Sequence, residues 1–213
     1  MRSELIEGLR AALTAHHVVD VPALPGRRNH RRAGILIPLV MTTPLTALMI
    51  LRPSHLRDHA GEVAFPGGKP EPDDRDMAHT AVREANEELG LVDVDVLGRI
   101  SSFPLYTSDY RLEPFIAALP PDPPMTPEPG EVAAVLRLDV EAVLAAPHVD
   151  AIPFKDMLSP VFTPAPGRHL YGGSAHAFLE VLDIIADVMG TRRPPMKPGR
   201  FTWDSFRRKK RSS

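Results

Sequence analysis

Apolar runs of strand length alternate with stretches of helical period along this chain, and together they predict an α/β domain with a mixed sheet sandwiched between helices. Two observations carry that expectation. Residues 34–41 and 45–51 are nearly unbroken apolar runs separated by Thr42-Thr43-Pro44, and residues 112–119 form another. Residues 3–16, 76–89 and 174–189 instead place apolar side chains three and four positions apart. The 213 residues are enough for one domain with a real core, and no internal repeat or second domain is visible.

In order, residues 3–16 read as an amphipathic helix with Leu5, Ile6, Leu9 and Leu13 on one side. Residues 21–33 read as a loop that ends in a basic stretch. The strands at 34–41 and 45–51 form a hairpin through Thr42-Thr43-Pro44, and Pro38, which lacks an N–H, suggests an edge position or a bulge. A short strand is expected near Val63-Ala64-Phe65, then a helix from about Asp76 to Leu89 with Gly90 as its C-cap. Its core face is Met77, Ala78, Ala81, Val82, Ala85 and Leu89. Residues 92–97 alternate apolar and charged like a half-buried strand, and residues 132–138 are another strand candidate. Between them, residues 120–130 are a proline-stiffened loop. Asp139 caps a short helix that ends at Ala145, and residues 174–189 form the last helix, with Ala177, Phe178, Val181, Leu182 and Ile185 inward. The expected organisation is a helix and loop over 1–33, the domain over 34–190, and a Pro-rich, basic, disordered tail over 191–213.

Composition narrows the function classes. The hydrophobic content of 43% and charged content of 24% are ordinary for a globular protein. A net charge of -2 gives no whole-chain argument for nucleic acid or membrane. The absence of cysteine excludes disulfides, thiolate chemistry and cysteine-based zinc sites. No apolar run reaches the roughly 20 residues that span a bilayer, and the N-terminus lacks the apolar core of a signal peptide. A cytoplasmic protein is expected.

Chemistry concentrates in Arg83-Glu84-Ala85-Asn86-Glu87-Glu88-Leu89-Gly90-Leu91. On a helix, Glu84 and Glu88 stand one turn apart with Glu87 beside them. Such like charges repel, and a hard divalent cation with oxygen ligands relieves the repulsion. Ahead of the helix, Phe65-Pro66-Gly67-Gly68 is a turn that brings bare backbone close to whatever the carboxylates hold. A glycine turn feeding a carboxylate face suits a metal bound to a substrate phosphate. A solvated acidic face is the plain alternative.

Gly68 to Leu91 resembles the Nudix box, G-x5-E-x7-R-E-U-x-E-E-x-G-U with U aliphatic. The second half fits at every fixed position, with Ala85 at the first U and Leu91 at the last. The first half departs: Asp74 stands for the Glu, and eight residues instead of seven precede Arg83. That first acid mainly supports the loop in the family, so the departure is tolerable but leaves the role of Asp74 open. Upstream, Arg52, Arg57, Gly61 and Phe65-Pro66-Gly67-Gly68 resemble the signature of the coenzyme A pyrophosphatase subgroup, with Pro53 where that subgroup usually has Ser or Ala. The two motifs cover about 40 contiguous residues. Gly130-Glu131-Val132 and Tyr171-Gly172-Gly173-Ser174-Ala175 resemble weaker subgroup features.

The resemblance implies an α/β/α sandwich and a Mg²⁺- or Mn²⁺-dependent hydrolase that cuts the diphosphate of coenzyme A or its derivatives into 3′,5′-ADP and 4′-phosphopantetheine. It assigns Glu84, Glu87, Glu88 and the Gly67 or Gly68 carbonyl to the metal. Arg83, one residue off that face, orients a glutamate. Arg52 and Arg57 are the cations for substrate phosphates, because a guanidinium grips phosphate bidentately. Glu131 is the candidate general base and Glu84 its rival, while Glu71 and Asp73 read as solvated. The partner is a small molecule, and neither membrane nor nucleic acid is expected.

Other residues carry less. His55 and His59 flank Arg57 without metal-ligand spacing, and His16, His17 and His30 receive no role. Ser102, Thr107 and Ser108 have no Ser-His-Asp context. Phe103, Tyr106 and Tyr110 could line a pocket for pantetheine or adenine, though packing is the commoner use. Two alternatives stay open: another nucleoside diphosphate derivative such as ADP-ribose or a dinucleotide as substrate, and a nucleic-acid-binding or regulatory role through the run Arg207-Arg208-Lys209-Lys210-Arg211.

Overall fold

The computed structural model of the chain describes residues 2–106 and 108–206. The chain opens with α1 (Arg2–Ala15), whose Leu9 and Leu13 are buried. β1 (Arg31–Val40) and β2 (Thr46–Leu51) follow, then the two-residue strands β3 (Val63–Ala64) and β4 (Gly67–Gly68). Next come α2 (Met77–Leu89), β5 (Asp95–Arg99), β6 (Phe103–Pro104), β7 (Tyr110–Leu119) and β8 (Ala134–Asp139). After α3 (Val140–Ala145) lie β9 (Val149–Phe154), β10 (Met157–Pro160), β11 (Phe162–Ala165) and β12 (Arg168–Leu170). α4 (Gly172–Val188) and β13 (Met196–Pro198) close the series, ahead of a 3-10 turn at Trp203–Ser205.

The main sheet runs β3-β2-β1-β7-β5, with β4 added to β1, β6 to β7 and β8 to β2. It is mixed, because β1 and β7 pair in parallel from Arg31↔Tyr110 to Val40↔Leu119 while the other pairings are antiparallel. Alternate residues of β1 serve opposite faces. Ile35, Ile37 and Leu39 join the core under α1 and α4, which holds Leu9, Leu13, Phe178, Val181 and Ile185. Leu36 and Val40 join Ala81, Ala85 and Leu89 of α2. Helices therefore cover both faces, and the expected sandwich is the observed one. Fully burying a leucine such as Leu89 contributes about 2 kcal/mol.

Pro38 lies in neither an edge strand nor a bulge. β1 has β7 on one side and β4 and β2 on the other. The Leu36 N–H donates to Pro66 O at 2.9 Å, so the N–H that Pro38 lacks would point to that same side. There β4 has already left at Ile35 and β2 joins only at Leu39. The proline costs no ladder bond because it sits where the sheet splits.

Three further expectations change. Residues 92–94 precede the strand, because Gly90 and Asp93 both have positive φ (70° and 53°) and turn the chain. β9 to β12 form between residues 149 and 170, where no regular element is expected from the sequence. Residues 191–206 are not a loose tail: β13 pairs in parallel with β9, and Phe201 is buried with Ile152 and Val161. Thr107 and the basic run from Arg207 lie outside the described residues. Among the described residues, no helix is long and apolar enough to cross a membrane.

Candidate active site

α2 is fixed at both ends by its own sequence. The Asp76 carboxylate accepts from His79 N–H at 2.8 Å, and Gly90 adopts φ 70° while its N–H donates to Asn86 O at 2.7 Å. Between the caps, Ala81, Ala85 and Leu89 press on the sheet, and the next face carries Glu84 and Glu88 toward β4.

β4 consists only of glycines because nothing larger fits. Gly67 has φ 154°, and a Cβ there would meet the backbone of Gly34 and Ile35. A Cβ on Gly68 would fall on the Glu84 carboxylate. Glu88 is 1% exposed, and its Oε2 accepts the Gly67 N–H at 3.0 Å. Its Oε1 stands 3.5 Å from Arg52 Nη1. The Arg52 Nε is buried with no hydrogen-bond partner.

These carboxylates are electrostatically under-compensated. Burial pushes the Glu88 carboxyl up to about 7, against the lowering effect of the Gly67 N–H and Arg52, while Glu84 and Glu131 add to the rise. Burial also raises Glu84, opposed by Arg83 and aided by Glu87 and Glu131. Glu131 is an exposed loop residue, its N–H bonded to Glu128 O at 3.0 Å, and its charge bears on both glutamates.

Arg83 ties the loop to the helix. Its Nε and Nη2 donate to Asp74 Oδ1 and Oδ2, each at 3.1 Å, and Nη2 also reaches Lys69 O at 2.8 Å. Nη2 lies 3.2 Å from Glu84 Oε1, and Nη1 3.0 Å from Glu87 Oε2. Asp74 further accepts from Glu71 N–H and Thr80 Oγ1, each at 2.9 Å, and contacts His79 Nδ1 at the same distance. Arg83 and these donors hold the Asp74 carboxyl well below the usual carboxylate range. The role left open by the sequence is thus filled: Asp74 anchors the loop. His79 and Thr80, which share that anchor, carried no sequence signal.

Glu84, Glu88, Gly67, Gly68, Arg83 and Arg52 come together. Glu87 is tied to this group through Arg83, four residues back, at 3.0 Å, and its half-exposed carboxylate forms no three-acid cluster with Glu84 and Glu88 among the described residues. Among the described residues no three Asp, Glu or His side chains form a ready metal cage. Arg57 is exposed on the 52–62 loop. His59 there contacts Glu62 Oε2 at 2.8 Å, and that carboxylate raises its pKa. Tyr106 packs edge-on against Phe154 and Phe103 stacks on His176, so both are used in packing. Tyr110 lies under Arg31 at 4.5 Å. Ser102 is fully buried and donates to Asp20 at 2.9 Å, which removes it from serine chemistry.

The donor set suits a hard divalent cation: the Glu84 and Glu88 carboxylates, both raised by burial, lie against the side-chain-free backbone of Gly67-Gly68. The buried, unpartnered Arg52 Nε suits an anionic ligand at the same place.

The chain is 40% identical over 120 residues to the uncharacterized Nudix hydrolase NudL of Yersinia pestis (strain Pestoides F), which covers 55% of this chain and 59% of the relative. The same figures hold for the NudL of Yersinia pseudotuberculosis serotype O:1b (strain IP 31758). The chain thus spans about three fifths of the length of these curated relatives. A MutT/nudix family protein from Enterococcus faecalis superposes with a TM-score of 0.47 at 15% identity, over 79% of this chain and 71% of that one. The NUDIX domain family matches residues 28–156, more than half of the chain and all of the site from Arg52 to Glu131, and the chain belongs to that family.

Proposed function

We propose that this protein hydrolyses a diphosphate bond with the help of Mg²⁺ or Mn²⁺, and that its substrate is coenzyme A or a derivative, released as 3′,5′-ADP and 4′-phosphopantetheine or its acylated form. The observation that carries the reaction class is the placing of Glu84 and Glu88 against the bare Gly67-Gly68 backbone, with Arg52 at Glu88. The choice of coenzyme A rests on the Arg52, Arg57, Gly61 and Phe65-to-Gly68 signature, and is finer than family membership.

Glu84, Glu88 and the Gly68 carbonyl would hold the cation in this reading, and the resemblance adds Glu87, which here is paired with Arg83. When bound there, such a cation would supply charge neutralisation and polarisation of the diphosphate oxygens. Arg52 and Arg57 grip phosphate oxygens and orient the chain. Arg83 is a positioning residue, fixing the Gly68-to-Asp74 loop and Glu84. Water adds to one phosphorus, the bridging P–O bond breaks with its electron pair staying on the departing phosphate, and the water proton passes to Glu131, an exposed carboxylate whose charge bears on Glu84 and Glu88. The two products each carry a terminal phosphate.

The test is to incubate the protein with coenzyme A, ADP-ribose and a dinucleotide, each with Mg²⁺ or Mn²⁺, and to identify products by mass spectrometry. The reading expects 3′,5′-ADP and phosphopantetheine, formed fastest from coenzyme A. Faster cleavage of ADP-ribose or the dinucleotide replaces the substrate and keeps the reaction. No cleavage of any of the three removes the hydrolase reading.

A further inference from the structure

The segment expected to be a tail instead builds the wall of a cavity. β13 binds β9, and the chain then returns across the β11–β12 hairpin, where Phe201 meets His169 at a ring distance of 4.7 Å. Phe206 stacks on Tyr171 at 4.3 Å with an interplanar angle of 26°, and meets His169 at 5.8 Å. Between this aromatic cluster and residues 60–62 lies a cavity of about 230 Å³, whose lining includes Gly61, Glu62, Arg168, His169, Tyr171 and Phe206.

Its position ties it to the reaction site. The Gly61 N–H donates to Arg52 O at 3.0 Å, and the Arg52 N–H to Glu62 O at 2.9 Å. The Arg52 side chain reaches Glu88. The floor of the cavity and the buried carboxylate are therefore one arginine side chain apart. A ligand whose diphosphate lies at Glu84 and Glu88 has its next chemical group within reach of the cavity.

The lining states what that group is. Aromatic faces favour a flat π-system, because every base has a π-face that can stack on such a ring. Arg168 is exposed and makes no ion pair among the described residues, so its guanidinium is available to an anion. Glu62, the one acid in the lining, is already in contact with His59 at 2.8 Å. The volume falls below the roughly 300–1,000 Å³ of sites that enclose a whole drug-sized ligand, so it suits one ring system. A pantetheine arm is neutral and has no ring, and would use neither feature.

Resting on the function proposed above, we propose that this cavity is the subsite for the nucleobase end of the substrate. The aromatic wall of His169, Tyr171 and Phe206 packs the base, and Arg168 binds a phosphate on the adjoining ribose.

The test is calorimetric binding of 3′,5′-ADP, 5′-AMP and 4′-phosphopantetheine to the full chain and to two variants, Arg168→Ala and Phe206→Ala, with melting temperatures alongside. Loss of the bidentate contact should weaken 3′,5′-ADP about tenfold in Arg168→Ala and leave 5′-AMP within about threefold. Phe206→Ala should weaken both nucleotides. Unchanged 3′,5′-ADP binding in Arg168→Ala overturns the proposal, and Arg168 is too exposed for the variant to unfold. Weakened phosphopantetheine binding with unchanged nucleotide binding overturns it as well. Binding needs no turnover, so the two readings fail separately. Arg168-dependent 3′,5′-ADP binding without cleavage of coenzyme A keeps the subsite and removes the hydrolase. Cleavage of coenzyme A with an unchanged kcat/KM in Arg168→Ala does the reverse.

Discussion

Arg83 grips Asp74 with two parallel hydrogen bonds of 3.1 Å, one to each carboxylate oxygen. The pair closes a loop that starts at Gly68, and the same guanidinium contacts Lys69 O, Glu84 and Glu87. Asp74→Ala should free Arg83 to neutralise Glu84 and Glu87, lower the melting temperature, and reduce diphosphate hydrolysis about tenfold through misplacement of the loop. Asp74→Asn, which keeps the shape and one acceptor, should retain more of both. Equal activity in all three proteins would show that the anchor does not position the site.

Glu88→Gln tests the buried carboxylate without disturbing the fold. The amide oxygen can still accept the Gly67 N–H, so the melting temperature should stay close to that of the parent protein. Hydrolysis should fall by on the order of 10²–10³-fold, the range expected when a group that stabilises reaction charge is removed. Glu84→Gln should behave alike. Turnover near the parent level in both variants would remove the carboxylate pair from the chemistry.

Gly68→Ala adds one methyl group where the Glu84 carboxylate sits. Either the side chain of Glu84 or the turn must shift. A misplacement of about 1 Å costs on the order of 10²-fold in rate. Circular dichroism should show the fold unchanged, and a kinetic assay should show the loss in kcat. Normal kcat would mean that the Glu84 position is not critical.

His176 provides a pH test away from the site. It stacks on Phe103, and burial lowers its pKa below the unfolded value of 6.5. The folded chain therefore favours the neutral ring, while the unfolded chain takes up a proton at higher pH. Its contribution is fully present above pH 6.5 and is lost as pH falls through the depressed folded value. Melting temperatures from pH 7.5 down to 5 should drop more steeply for the parent protein than for His176→Phe. Parallel curves would contradict this.

How much of the structure the sequence discloses depends on whether the signal is local. The α2 boundaries, its core face and its glycine C-cap follow from spacing within one helix, and all three hold. The bareness of Gly67-Gly68 is legible too, but not its pairing: expected as a turn, the two glycines form strand β4 against Gly34 and Ile35 of β1, a long-range contact. Glu87 is not legible, because helical spacing places it beside Glu84 and Glu88 while an Arg four residues back competes for it. Asp74 is one methylene shorter than the acid it replaces, and the loop carries one more residue, so the reach to Arg83 depends on the folded loop. β13 escaped notice because its three residues include a proline and its partner β9 lies far back in the chain, so only long-range pairing defines it.

The central claim is that Glu84 and Glu88, set against Gly67-Gly68, hold the divalent cation used in diphosphate cleavage. Mn²⁺ titration followed by electron paramagnetic resonance tests it most directly, with the parent protein beside Glu84→Gln and Glu88→Gln. Saturable Mn²⁺ binding in the parent, weakened at least about tenfold in each variant, is the predicted result. Identical Mn²⁺ affinity in all three proteins would contradict it.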